Sequence, residues 1–353
     1  MGTEALSGAP GGDRQIRVGL VGVGKMGISH YAILGAHPEV EVSAICDSAT
    51  YLTSGLRKYT GVRTFNDYRT MIDAAGLDCL FVVTPSSSHY EIVSYALERG
   101  LHVFVEKPLC LDAGQSKRLA DLARERGRAN QVGYHNRFIG TFREAQRLVR
   151  SGAVGDVYHI SGTAFGPVVT RPKTGRTWRA RKSEGGGCLH DYASHVVDLM
   201  NFIVGPPEAV ASAQLRRVFS EDVEDAAYAL FHYPGGASGH LEVNWSDETY
   251  RKMSTTVVIY GTAGKIVADR QECRVYLRQG SEFECYPAGW TVRNITELQP
   301  PVAFYLRGEE YSAQVDSFVE AVRRGSAVHE NDFASAYETD RVIDLLLKAG
   351  ARD

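Results

Sequence analysis

The chain alternates between strand-like and helix-like segments through its first 135 residues. Apolar runs begin at Ile16 and cover 40–46, 77–85, 101–108 and 129–135. Helical patterns follow the first run and cover 49–59, 89–100 and 111–127, and Asp112 is placed to cap the last of them. Strands that are separated by helices build a parallel sheet with helices on both faces. The alternation therefore predicts an α/β domain around a parallel sheet.

A glycine cluster lies where the first strand gives way to the first helix. The stretch GVGKMG places Gly22, Gly24 and Gly27 in the G-x-G-x-x-G spacing, with Lys25 and Met26 between them. The first glycine allows a tight turn, the second lets a pyrophosphate approach the backbone, and the third lets helix and strand pack closely. An ordinary glycine turn is the alternative, but the strand before it and the helix after it favour dinucleotide binding.

The choice of dinucleotide depends on Asp47, which lies 20 residues after Gly27 at the end of the second strand. A carboxylate at this place binds the ribose hydroxyls of the adenosine; a solvated aspartate is the alternative. The carboxylate would repel the extra phosphate of NADP, and the neighbouring Ser48 offers no positive charge. NAD is therefore the expected cofactor, and NADP is disfavoured but stays open because Lys25 or Arg57 could compensate.

The bulk composition limits the classes of partner. A chain of 353 residues predicts two domains, and 44% hydrophobic with 23% charged residues is typical of a globular protein. The net charge of −3 gives no reason to expect nucleic acid or a membrane as partner. We expect a cytoplasmic protein with a disordered leader over residues 1–14, because no export signal precedes the fold. The six cysteines of the chain are expected to be reduced thiols.

The second half of the chain has a different pattern. After Gly155, apolar and polar residues alternate over several segments that Gly, Pro and Asp separate. This predicts an antiparallel sheet with one buried face, whose other face is solvated or pairs with a second subunit. Helices are expected near 308–324 and 333–349. The predicted limits are 15–136 for the nucleotide domain, 137–330 for the second domain, and 331–353 for a C-terminal helix that could pack back on the first.

Two predicted strands end in polar groups, one at Thr84-Pro85 and the other at Glu106-Lys107. Ligands of open parallel sheets bind beyond the carboxyl ends of the strands, so Lys107 can point into that cleft. Its ammonium could hydrogen-bond a reacting hydroxyl and stabilise the charge that forms as a proton leaves. A surface lysine paired with Glu106 is the alternative.

The segment EGGGCLHDYASHVVDLM, residues 184–200, gathers Cys188, His190, Asp191 and His195. A metal site needs three or four convergent ligands, and only Asp191 and His195, four apart on one side of a helix that begins near Cys188, are suitably placed. We therefore expect no metal. His195 suits general acid–base chemistry, and a core histidine satisfied by Asp191 is the alternative. The three glycines are expected to leave room for a substrate or cofactor, while Cys188 and His190 pack.

A basic loop precedes this segment. Residues 171–182 carry six basic residues and no acidic one, with Trp178 among them. We expect Arg171, Trp178 and Arg179 to contact a hydroxyl-rich or anionic substrate, with Trp178 stacking on a sugar face. A solvated, flexible surface loop is the alternative.

Several of these motifs, taken in order, resemble the glucose–fructose oxidoreductase and inositol dehydrogenase family, Gfo/Idh/MocA. The stretch TPSSSHYEIVSYALERGLHVFVEKPL is similar to its signature, and VGYHNRF (132–138) and GGGCLHDYASHVVDLM continue the match. The resemblance runs from about Ile16 to Met200 and is specific for the family but weak for the substrate. It implies a Rossmann domain followed by an α+β domain with a large, mostly antiparallel sheet, and a homodimer or homotetramer through that sheet.

The resemblance also implies roles for individual residues. Lys107 would lie beside the nicotinamide and the substrate hydroxyl, with Asp191 and His195 facing it across the cleft. Further contacts with the cofactor are expected from Thr84, Pro85, His89, Glu106 and Asn136. Tyr134 and His135 are expected to contact the substrate, and Arg137 to line the nicotinamide side with them.

The expected reaction is the reversible, NAD-dependent oxidation of a secondary ring hydroxyl of a sugar, inositol or aminocyclitol. His195 would remove the hydroxyl proton, Lys107 would stabilise the developing alkoxide, and Asp191 would fix an adjacent hydroxyl or the imidazole. Two other functions stay open. One is a redox-neutral enzyme that oxidises a sugar transiently to permit elimination or glycoside cleavage, and the other is a non-catalytic NAD-sensing protein.

Overall fold

A computed structural model describes residues 14–170, 178–327 and 330–351. The first part of the chain forms a six-stranded parallel sheet, sheet A, in the order β3-β2-β1-β4-β5-β6. Its strands are β1 Ile16–Val21, β2 Val40–Cys46, β3 Arg63–Phe65, β4 Cys79–Val82, β5 His102–Val105 and β6 Asn130–Val132. Its helices are α1 Lys25–Ala36, α2 Thr50–Thr60, α3 Tyr68–Ala74, α4 His89–Glu98 and α5 Ala113–Glu125.

Sheet A is buried on both faces, which explains why its central strands are continuous apolar runs. Successive residues of β5 show this, since Phe104 packs on the side of α1 and Val105 on the side of α4 and α5. The strand order reverses between β1 and β4, and a ligand of such a sheet binds in the crevice beyond their carboxyl ends. The predicted α/β domain is thus confirmed, and the crevice fixes where its binding site lies.

The second part forms an eight-stranded sheet, sheet B, in the order β14-β13-β12-β11-β7-β10-β9-β8. Every pairing is antiparallel except that of β7 with β10, so the predicted, mostly antiparallel sheet is confirmed. Its strands are β7 Val157–Phe165, β8 Ala209–Arg216, β9 Ala226–His232, β10 Ser238–Asn244, β11 Ser254–Gly261, β12 Gly264–Asp269, β13 Glu272–Leu277 and β14 Gly289–Asn294.

One face of sheet B is covered by helices. These are α6 Gly140–Arg150, α7 Ser194–Val204 and part of the last helix, α10 Phe333–Gly350. Helix α7 approaches β7 closely because Gly162 has no side chain, since a Cβ there would lie 2.4 Å from Val196 and 2.7 Å from Met200. This contact fixes the helix whose first turn carries His195.

The C-terminal helices connect the two sheets. The short α8 Ile295–Leu298 is followed by α9 Glu309–Arg324. Phe318 of α9 packs edge-on against Phe81 and Phe104 of sheet A, with ring centroids 5.4 and 5.9 Å away. Helix α10 places Phe333 in the core of sheet A and Ile343 in that of sheet B. The sequence prediction placed residues 137–330 in the second domain. Helix α9 lies within that range but packs on sheet A, the nucleotide-binding sheet.

Most element predictions agree with the structure. The helix expected at 308–324 is α9, that at 333–349 is α10, and Asp112 caps α5 by accepting a hydrogen bond from Gln115 N at 2.8 Å. The predicted helix from Cys188 is wrong in its first turn, because 189–193 form a π-helical turn and regular α-helix begins at Ser194. Among the described residues no helix is both long and apolar enough to cross a bilayer.

Candidate active site

The turn after β1 forms a cradle that no side chain fills. Gly22 has a φ of +95°, and a Cβ on it would lie 2.5 Å from the carbonyl oxygen of Val83. A Cβ on Gly27 would lie 2.0 Å from the oxygen of Gly22, whereas Gly24 has nothing within 4 Å of that position. The first and third glycines are thus required by packing, and the second leaves open space in front of the backbone.

Two further observations show that the cradle fits a dinucleotide. No side chain caps the N-terminus of α1, where Lys25 is exposed and Met26 half-buried, so its first amides can bind a phosphate. The carboxylate of Asp47 lies beside the turn, since it accepts hydrogen bonds from Val23 N and Ala49 N, both at 2.8 Å. Each carboxylate oxygen has a second lone pair with which to accept a ribose hydroxyl.

His89 forms hydrogen bonds with the backbone just after the carboxyl ends of both β4 and β5. Its side chain is fully buried, with Nε2 3.0 Å from the Thr84 oxygen and Nδ1 2.9 Å from the Pro108 oxygen. A side chain enclosed in this way cannot touch a cofactor, so the predicted direct contact is wrong and His89 instead positions both strand ends. Thr84 accepts a hydrogen bond from Ser88 Oγ at 2.8 Å, and Pro85 is exposed at the crevice.

Glu106 is held by a residue that sequence reasoning missed. His30 of α1 is buried, and its Nε2 lies 2.8 Å from Glu106 Oε1. Burial alone would raise the pKa of Glu106, but the hydrogen bond with His30 and the nearby charge of Lys107 keep that pKa below its usual value. The position of His30, three residues after Gly27 on the inner side of α1, was the available signal.

Lys107 and Asp191 join the two domains at the crevice. Lys107 Nζ donates to Asp191 Oδ1 at 3.0 Å and to the backbone oxygen of Asp191 at 3.1 Å. Arg179 Nε donates to the other carboxylate oxygen, Oδ2, at 2.7 Å. Burial would raise the pKa of Asp191, but the charges of Lys107 and Arg179 hold that pKa below its usual value. The buried carboxylate is therefore an anion between two cations.

The glycines before Asp191 do not leave room for a ligand. A Cβ on Gly186 would lie 2.4 Å from the backbone oxygen of Arg179, and one on Gly187 would lie 2.1 Å from Glu224 Oε1. Their expected role is therefore corrected, because the space beside them is taken by the chain itself. The same segment buries Cys188 and leads into the π-helical turn, an irregularity that is frequent at functional sites.

His195 lies in a pocket of rings. Its ring makes T-shaped contacts with the rings of His135 and Tyr134, whose centroids are 5.0 and 6.1 Å away. Nδ1 is buried and finds no hydrogen-bond partner within the described part of the chain. Burial, with the charge of Lys107, lowers the pKa of His195 well below its ordinary value. Lys107 and Arg179 each donate to one carboxylate oxygen of Asp191, and the described ring contacts of this neutral imidazole are those with His135 and Tyr134.

His135 lies between His195 and α9. It stacks on Tyr311 at a centroid distance of 4.6 Å, a contact that no sequence motif indicated. Burial lowers the pKa of His135 to about 3, so this ring is neutral. The adjacent Asn136 is also buried, and its Nδ2 finds no partner among the described residues.

Two neighbours of His135 do not lie where the sequence predicted. Tyr134 is 0% exposed within the core of sheet A, so it supports His195 and cannot contact a substrate. Arg137 is buried and forms two hydrogen bonds with Asp198, at 2.8 and 2.6 Å, instead of lining the nicotinamide side. Both expectations are therefore wrong, because the VGYHNRF motif gives the order of these residues and not their burial.

The basic loop reaches the site through its last residues. The guanidinium of Arg179 lies over the Trp178 ring, 4.6 Å from the centroid, while Arg181 pairs with Glu184 at 2.7 Å. The expected contact from Arg171 falls outside the described residues. In the described ranges no three His, Cys, Asp or Glu side chains cluster in a way that could hold a metal ion.

Comparison with known proteins identifies both domains. Residues 16–134 match the model of an oxidoreductase family with an NAD-binding Rossmann fold, and residues 142–267 match the Gfo/Idh/MocA C-terminal domain. The chain is 25% identical to levoglucosan dehydrogenase of Pseudarthrobacter phenanthrenivorans, over 96% of this chain and 97% of that protein. It is also 25% identical to scyllo-inositol 2-dehydrogenase (NAD(+)) of Bacillus subtilis, over 89% and 88%.

A solved structure supports the same assignment at the level of the fold. Levoglucosan dehydrogenase in complex with NADH and levoglucosan superposes with a TM-score of 0.84 at 24% identity, over 96% of this chain and 98% of that one. The resemblance drawn from the motifs is confirmed, and the first domain is an NAD-binding Rossmann domain. The chain belongs to the Gfo/Idh/MocA family of NAD(P)-dependent oxidoreductases, which act on sugar or cyclitol hydroxyls.

Proposed function

We propose that the protein is an NAD-dependent dehydrogenase that oxidises a secondary ring hydroxyl of a sugar, inositol or aminocyclitol to a ketone. The observation that carries the proposal is the meeting of Lys107, from the end of β5, with Asp191 and the neutral His195 of the second domain. These groups lie at the carboxyl edge of sheet A, beyond which ligands of such sheets bind.

Each side chain has a chemical task in this reaction. The neutral His195 takes the proton of the substrate hydroxyl as general base. Lys107 donates a hydrogen bond to the same oxygen and stabilises the negative charge that forms. Asp191 holds the ammonium of Lys107 and accepts a hydrogen bond from an adjacent hydroxyl. Bound NAD+ would supply the acceptor for the hydride.

The substrate class rests on two relatives. Levoglucosan dehydrogenase and scyllo-inositol 2-dehydrogenase are named for a sugar derivative and a cyclitol, and each aligns with most of this chain. Levoglucosan and scyllo-inositol are both neutral rings that carry secondary hydroxyls. We therefore place the substrate among ring polyols that carry a secondary hydroxyl.

The decisive experiment screens cyclitols and sugars with NAD and with NADP while the absorbance of the reduced cofactor is followed. Lys107→Ala should lower the turnover of a responding substrate about 100-fold or more, because it removes the donor to the developing charge. NAD binding, measured by calorimetry, should persist in that variant. The control is Lys117→Ala, which removes a surface partner of Asp121 and should leave turnover unchanged.

Other outcomes of the screen favour the other functions. Consumption of a sugar without net formation of reduced cofactor would favour a redox-neutral enzyme. NAD binding without turnover of any polyol would favour an NAD-sensing protein. Substantial residual oxidation by Lys107→Ala would remove Lys107 from the reaction.

We further propose that the protein is a homodimer or homotetramer that pairs through the outer face of sheet B. The support is a group of apolar side chains that this face exposes, including Trp290 and Val292 of β14.

A further inference from the structure

Arg179 has a partner that its place on a basic surface loop would not suggest. Its Nε donates to Asp191 Oδ2 at 2.7 Å, while Lys107 occupies Oδ1 at 3.0 Å. The Asp191 side chain is only 6% exposed, whereas that of Arg179 is 37% exposed. The Nε edge of the guanidinium thus reaches a buried anion, its face lies over the Trp178 ring, and about a third of the side chain stays exposed.

The backbone of Arg179 is fixed by the glycine segment. Its carbonyl oxygen accepts a hydrogen bond from Gly187 N at 3.1 Å. Gly186 lies so close to the same carbonyl that a Cβ there would be 2.4 Å from it. The glycines therefore seat Arg179 against the turn that carries Asp191. The neighbouring Arg181 differs, since it pairs at the surface with Glu184.

We propose that Arg179 is a positioning residue that fixes the Asp191 carboxylate, so that Oδ1 stays turned toward Lys107. The inference rests on the proposed function, in which Lys107 acts on the substrate oxygen. It differs from the sequence prediction, in which Arg179 contacts the substrate directly. Two charge-assisted hydrogen bonds from opposite sides define the orientation of a carboxylate better than one.

Removal of Arg179 has a predictable electrostatic consequence. Burial raises the pKa of Asp191, and Lys107 and then Arg179 lower it. Without Arg179 the carboxyl group loses one of the charges that favour its ionised form, so it takes up a proton at a higher pH. Protonated Asp191 no longer holds the ammonium of Lys107 as an ion pair. The acid limb of the pH profile should therefore move to higher pH.

The test compares Arg179→Met, Arg179→Lys and the matched control Arg181→Met. We expect Arg179→Met to lower kcat about 10-fold or more, to change KM less than kcat, and to raise the apparent pKa of the acid limb by about one unit. Arg179→Lys, which keeps the charge, should recover part of both effects. Arg181→Met should match the wild type in kcat and in the pH profile.

Two results would overturn the proposal. A rise in KM with an unchanged acid limb would make Arg179 a substrate contact. A crystal structure of Arg179→Met in which the Asp191 carboxylate keeps its orientation would show that Arg179 does not fix it, since we expect the freed Oδ2 to turn toward Lys107. This readout needs no turnover, so it decides the role of Arg179 even if the screen for polyol oxidation fails.

Discussion

At the scale of single residues, His195 determines how the enzyme should respond to pH. A general base must be unprotonated, and burial with the charge of Lys107 lowers the pKa of His195 well below 6.5. The neutral fraction of His195 therefore stays high as the pH falls through 6.5. We predict that kcat/KM for polyol oxidation has no acid inflection at or above pH 6.5 and declines only at lower pH. A pH profile of kcat/KM in the oxidative direction measures this.

A substitution tests whether His195 is the general base. His195→Gln removes the base and should lower kcat/KM by about 100-fold to 10,000-fold. His159→Gln is the matched control, because His159 lies on β7, where its Nδ1 is 2.7 Å from Ser238 Oγ. An inflection near pH 7 in the wild type that disappears in His195→Gln would contradict the lowered pKa.

Individual residues also show what a sequence can predict about a site. Gly22 and Gly27 have the turn and packing roles that their spacing indicates, because those roles depend on local backbone geometry, and Gly24 leaves the open space that its predicted role needs. Tyr134 and Arg137 were misplaced, because their burial is decided by contacts with residues that are distant in sequence, such as Asp198. The hydrogen bond from Arg179 to Asp191 could not be predicted from the sequence, because the guanidinium and the carboxylate could each have paired with another residue.

At the scale of elements, the strands of sheet A were predicted best from the sequence where they are fully buried. The strands β4 and β5 were found because they are buried throughout and are continuous apolar runs. The strand β2 was found from its apolar residues, although its Glu41 is exposed. The short β3 was missed because it has three residues, none of them buried. The strands β13 and β14 at one edge of sheet B were missed as well, although β13 alternates buried with more exposed residues, while no residue of β14 is buried. The π-helical turn at 189–193 carries no periodicity that distinguishes it from an α-helix.

Helix α10 carries a buried acid that should make stability depend on pH. Asp340 accepts hydrogen bonds from Ser116 Oγ at 2.6 Å and from Cys110 N at 3.2 Å, and burial raises its pKa from 3.8 to about 7. The folded state therefore binds more protons than the unfolded chain between those values, and stability falls as the pH rises through that window. The loss approaches roughly 4 kcal/mol above pH 7.

Asp340→Asn should remove that loss. We predict that the variant is no more stable than the wild type at pH 5, where its amide oxygen can accept the same two hydrogen bonds, and more stable at pH 8, where it avoids a buried charge. Thermal denaturation at the two pH values measures the difference. Asp121→Asn on the surface of α5 is the control and should show no such reversal. Equal destabilisation at both pH values would mean that Asp340 is already ionised at pH 5.

At the scale of the whole molecule, the candidate site exists only where the two domains meet. Lys107 comes from sheet A, whereas Asp191 and Arg179 come from the second domain. The chain then returns twice. Helix α9 packs on the core of sheet A, and helix α10 packs on the cores of both sheets. This return explains how side chains from separate domains hold hydrogen-bond distances of about 3 Å. Sequence could predict that the groups converge, but the connection through Phe318 and Tyr311 required the structure.

The outer face of sheet B gives the last prediction. Trp290, 56% exposed, and Val292, 46% exposed, lie on edge strand β14, where Trp290 pairs across the ladder with Tyr276 at a centroid distance of 5.4 Å. A stable interface buries about 800 Å² on each partner and favours aromatic side chains at its centre. Light scattering should therefore show a mass at least twice the 38.7 kDa of the chain, and Trp290→Glu with Val292→Lys should reduce it toward that value. Tyr59→Ser, a change at an exposed aromatic residue of α2, should leave it unchanged. A wild type that is monomeric at micromolar concentration would refute pairing through this face.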